Sequence, residues 1–116
     1  MANIVIVDKE EKWREEVQKL LEEMGHTTHI TSGLRGAQDL MKREAANIDL
    51  IVMGDVPKEQ HENACRWLTV MNDGFKIISL SPYYGRIITK DKTIQKEKFG
   101  NGAAFIQLVT ECLDTR

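Results

Sequence analysis

The 116-residue chain is 41% hydrophobic and 29% charged with a formal net charge of -2, which is material for a single domain, residues 1–116, with its own core. Sixteen Lys and Arg against 18 Asp and Glu give no cationic field for a phosphate backbone and argue against nucleic acid as a partner. No apolar run approaches the ~20 residues of a bilayer span, and Cys65 and Cys112 lack zinc or disulfide spacing, so a soluble, cytoplasmic, membrane-free protein is the expectation.

The first strand is predicted at residues 3–8, where Ile4, Val5, Ile6 and Val7 run without a polar break into Asp8. A strand apolar at every position is covered on both faces, the habit of parallel sheets. Trp13, Val17, Leu20, Leu21 and Met24 then form one apolar helical stripe, and Gly25 supplies its stop. Residues 27–31 read as a polar edge strand. Ser32 is placed to cap a second helix with Leu34, Ala37, Leu40, Met41 and Ala45 on its inner face.

The unit then repeats. A third buried strand is predicted at residues 48–53, followed by a helix with Ala64, Trp67, Leu68 and Met71 on its apolar face and a turn at Asn72, Asp73 and Gly74. A fourth strand is predicted at residues 75–80, ending at Ser81 and Pro82. Two short segments, residues 86–89 and 93–95, compete for a fifth strand, and Asn101 is placed to cap a last helix carrying Phe105, Leu108, Val109, Cys112 and Leu113. Strands alternating with helices imply crossovers and a parallel sheet with helices on both faces.

Ligands of such sheets bind beyond the carboxyl ends of the strands, where strand order reverses. For a flavodoxin-like order of 2-1-3-4-5, Asp8 and Glu10 from the first strand, Asp55 from the third and Ser81 from the fourth converge there. Oxygen ligands of this kind suit Mg²⁺, and a carboxylate can act as nucleophile towards a phosphoryl group. The competing reading makes the acids ordinary loop residues that cap the following helices, and the pattern by itself favours it.

In element order and spacing, nearly the whole chain resembles the receiver domain of two-component response regulators. Residues 4–8 resemble that family's opening strand with its first acid, residues 48–53 its third strand, and residues 76–81 its fourth strand with the terminal hydroxyl. The resemblance implies a three-layer α/β sandwich with a five-stranded sheet, Mg²⁺ held by Asp8, Glu10 and Asp55, an acceptor at Asp55, and phosphate contacts from Ser81 and Lys96. It implies a histidine kinase or downstream effector as partner, or a second copy of the chain, and signalling without enzymatic turnover.

Several positions depart from the family pattern. Lys9 stands where a second metal-binding acid is expected, bringing a positive charge to the cation's place. The phosphoacceptor position, counted without gaps, falls on Gly54, with Asp55 one residue later and Pro57 too close behind. Gly54 also permits backbone conformations closed to other residues. Glu97 replaces the proline after Lys96, and the aromatic switch position falls on Thr93, or on Ile87 if Lys90 is the conserved lysine. Too little chain lies between Ser81 and Lys96 for a full fourth helix, which is shortened or missing.

The basic segment 86–98 reads as a solvated loop. Trp13 and Trp67 read as core, and His26, His29 and His61 as surface or edge residues. The expectation is a stand-alone, atypical receiver that works by protein contact with a degenerate phosphoacceptor site. The alternative is a phosphorylatable receiver using Asp55, with Mg²⁺ on Asp8 and Glu10.

Overall fold

The computed structural model describes residues 2–44, 47–54, 66, 76–80 and 93–114. In chain order these form β1 (Asn3–Val7), α1 (Glu11–Glu23), β2 (Thr27–Thr31), α2 (Leu34–Glu44), β3 (Leu50–Met53), β4 (Lys76–Ser79), a short 3-10 turn (Lys96–Lys98) and α3 (Ala103–Asp114). The strands pair in parallel in the order β2-β1-β3-β4, the flavodoxin-like arrangement expected from the sequence.

The β-branched runs of β1 and β3 are buried throughout from Ile4 to Val7 and from Leu50 to Met53. Because side chains alternate along a strand, Ile4, Ile6, Leu50, Val52 and Ile78 share one face. There they join Val17 and Leu21 of α1 and Phe105, Val109 and Cys112 of α3 in one core cluster. Val5, Val7, Ile51 and Met53 take the opposite face, on the side of α2, whose Ala37 and Leu40 are buried. Each fully buried aliphatic or aromatic side chain contributes roughly 1.5–3 kcal/mol, so these two layers supply most of the fold's drive.

The helix ends follow local chemistry. Gly25, at φ +90°, closes α1, with its N–H donating to the Glu22 carbonyl and that of His26 to the Leu21 carbonyl. Such a left-handed residue after a helix satisfies its last carbonyls. Ahead of α3, Asn101 Oδ1 accepts the Ala103 N–H at 3.0 Å, meeting one of the free donors of a helix start.

The described part of the expected fifth strand lies where the sequence places it, beside β4. Among the described residues, the place beside β4 is held by a single parallel bridge between Ser79 and Thr93, with the Ile94 N–H donating to the Ser79 carbonyl at 2.9 Å. The 93–95 segment thus reaches the sheet edge, and the chain then turns into the 3-10 element at Lys96. Apart from Arg66, which is helical, the expected third helix, the turn at residues 72–74 and the segment 83–92 lie outside the described residues.

Candidate functional site

Parallel strands bring their carboxyl ends to one edge, and Asp8 and Gly54 leave β1 and β3 there side by side. Asp8 is 1% exposed. Its N–H donates to the Thr31 carbonyl, and its carbonyl accepts from the Arg14 guanidinium at 2.8 Å. Its carboxylate Oδ1 accepts the Glu10 N–H at 2.9 Å. That local turn, with the Asp side chain bonded two residues on, carries the chain into α1. Asp8 is therefore held through both backbone and side chain.

Gly54 donates its N–H to the Val7 carbonyl at 2.7 Å. A Cβ at position 54 would lie 2.6 Å from Asp8 Cγ and 3.0 Å from Asp8 Cβ, and would overlap Oδ2. The Asp8 carboxylate thus fills the volume into which a side chain at 54 would project. The sequence-based expectation that Gly54 serves an unusual backbone conformation is corrected here: among the described residues the positive-φ glycines are Gly25, Gly100 and Gly102. Glycine at 54 is required by close approach, not by φ.

Lys96, at the start of the 3-10 turn, reaches across to this acid pair. Its ammonium lies 2.9 Å from Asp8 Oδ2 and 2.8 Å from Glu10 Oε1. Burial alone would pull the Lys96 pKa down; hydrogen bonds and opposite charges from Glu10 and Asp8 outweigh it, and the net shift is upward. Beneath the ammonium lies the Trp13 ring, with its centroid 5.3 Å away, in cation–π range. Trp13 meets Phe99 edge to face at 5.1 Å, and Phe99 packs on Phe105 at 5.4 Å. The charged cluster therefore rests on an aromatic column that runs into the core.

Whether these residues suit Mg²⁺ follows from their donors. Magnesium demands near-octahedral oxygen coordination. Here the buried carboxylate and its neighbour already share an ammonium, and Gly54 contributes no side-chain oxygen. Among the described residues, no group of three or more His, Cys, Asp or Glu side chains gathers to hold a metal ion. Asp8 and Glu10, which share the Lys96 ammonium, do not by themselves fit Mg²⁺.

Of the residues singled out in the sequence, Asp8, Glu10 and Lys96 come together, while Asp55 and Ser81 lie outside the described residues. Lys9, read as the charge at the cation's place, is exposed; the ammonium between Asp8 and Glu10 belongs to Lys96. Sequence reasoning placed Trp13 in the core. It packs there only in part and also forms the floor under Lys96. Its position three residues beyond Glu10, in the first turn of α1, is the one sequence signal for that role.

No family model matches the chain, and no curated protein does. Its likeness to solved structures extends over nearly its whole length. A response regulator from Thermotoga maritima superposes with a TM-score of 0.81 at 20% identity, covering 99% of both chains. The non-phosphorylated HemR receiver domain from Leptospira biflexa gives 0.80 at 14% identity over 100% of this chain and 97% of that one. A structure of the phosphorylated P1 domain of CheA3 in complex with CheY6 from R. sphaeroides gives 0.68 at 17% identity, covering 95% of this chain and 97% of the matched one. Among the described residues, no helix is long and apolar enough to cross a membrane. The strand order, the burial of both sheet faces and these superpositions together assign the chain the fold of a response regulator receiver domain.

Proposed function

We propose that the chain is an atypical receiver domain of two-component-type signalling. It acts in the cytoplasm by contact with a partner protein, through a degenerate phosphoacceptor site and without enzymatic turnover. The observation that carries this reading is the meeting of Asp8 and Gly54. Counted without gaps, the family's acceptor position falls on Gly54, which has no side chain, and the space for one is taken by a buried carboxylate. A phosphoryl group cannot be received by a residue that has no nucleophile.

The partner class is a histidine kinase or a downstream effector. A similar fold solved with a kinase P1 domain supports this choice, although fold likeness by itself is a weak warrant for function. An amide NMR titration with beryllofluoride, an acyl-phosphate mimic, in the presence of Mg²⁺ tests the reading. The resonances of Asp8, Glu10 and Gly54 are expected to be unmoved by the beryllofluoride step. Shifts there that disappear in Asp55→Asn would instead establish Asp55 as an acceptor.

A further inference from the structure

We infer that Lys96 is the resident cation of this site: its tethered ammonium takes the place of a divalent ion and keeps Mg²⁺ out. This deepens the reading of a site without a phosphoacceptor and rests on it. Three observations carry it. Lys96 Nζ contacts the buried Asp8 carboxylate and Glu10 at once, at 2.9 and 2.8 Å. Gly54 supplies no third carboxylate, and its N–H is committed to the Val7 carbonyl. The Trp13 ring lies under the ammonium at 5.3 Å and provides a π face that suits a monovalent cation on an aliphatic stem.

Two physical reasons make the exchange one-sided. The ammonium is part of the chain, so it competes at the high effective concentration of an intramolecular group. Among the described residues, magnesium would surrender strongly held water for two carboxylates, and it would do so beside the positive charge that both already contact. Removing the ammonium reverses both terms. The Asp8–Glu10 pair without Lys96 is then a divalent-cation site, with water completing the coordination.

The test compares wild type with Lys96→Met, whose unbranched thioether side chain is of similar length over the Trp13 ring but carries no charge. Both chains are titrated with Mn²⁺, a paramagnetic probe, and the amide signals of Lys9, Glu10 and Gly54 are followed, with Mg²⁺ added in competition. Lys96→Met is expected to lose these signals at a Mn²⁺ concentration about tenfold or more below that needed for wild type, and Mg²⁺ is expected to restore them. Equal broadening in the two chains overturns the inference, and so does a variant that gains no affinity. Should Lys96→Met not fold, the side-chain ammonium correlation of Lys96 in wild type decides: persistence under millimolar Mg²⁺ supports the inference, and its loss overturns it. Metal uptake by wild type without a beryllofluoride response would overturn this inference alone. A beryllofluoride response would overturn the contact reading itself.

Discussion

Gly54 lies against the buried carboxylate of Asp8 so closely that a Cβ at position 54 would stand 2.6 Å from Asp8 Cγ. Asp8 cannot easily yield, because its amide, its carbonyl and its Oδ1 are each hydrogen-bonded and its Oδ2 faces Lys96. Gly54→Ala is therefore expected to destabilise the fold by about 1–3 kcal/mol, the usual cost of forcing an extra methyl into a packed site. Urea unfolding reads this directly. In an Asp8→Ala background the two nearest of these contacts, with Oδ2 and Cγ, are gone, so the same substitution should cost less there, a non-additivity that marks contact between the two positions.

Replacing Lys96 by Met leaves the Asp8 side chain, 2% exposed, without its counter-charge. The expected loss is about 1–3 kcal/mol, held to that range because the Lys96 and Glu10 side chains are 18% and 47% exposed and solvent screens part of the interaction. The pH dependence has a definite sign. The folded pKa of Lys96 is raised above 10.5, so its contribution is complete below 10.5 and is lost as pH rises through the folded value. Wild type should therefore show an alkaline decline in stability that Lys96→Met lacks.

His26 gives the opposite limb. Its Nδ1 accepts the Ala2 N–H at 3.1 Å, which only the neutral ring can do. Burial, and next to it the amino-terminal charge, lowers the His26 pKa below 6.5 against an opposing pull from Asp49. The unfolded chain thus binds the proton more readily. The associated stability is complete above 6.5 and is lost as pH falls through the folded value. Chemical denaturation between pH 7 and 5, about the range in which histidine titrates, should show a decline that His26→Gln flattens.

Residue pattern revealed the sheet well and the site in part. The β-branched runs marked β1 and β3, the polar run from Thr27 to Thr31 was legible as an edge strand, and Gly25 marked the end of α1. Strand ends moved inward by one or two residues, since Asp8 and Ile48 are buried beyond the ladder itself. Lys96 was found through its likeness to receiver sequences, and nothing in its local pattern distinguishes it from Lys90 or Lys98. The role of Gly54 was not legible, because it depends on a carboxylate 46 positions away in sequence, and close approach is a property of the assembled sheet. The Trp13 floor was missed for the same reason: an apolar stripe shows that a residue is inward-facing, not which charge lies above it.

Intact-mass analysis after incubation with Mg²⁺ and acetyl phosphate, a small-molecule phosphodonor, tests most directly whether the site works by contact and not by phosphoryl transfer. The expected result is an unchanged mass for wild type under conditions that phosphorylate an ordinary receiver domain run alongside. A mass increase of one phosphoryl group that is abolished by Asp55→Asn would contradict it, and would make this chain a working phosphoacceptor despite Gly54.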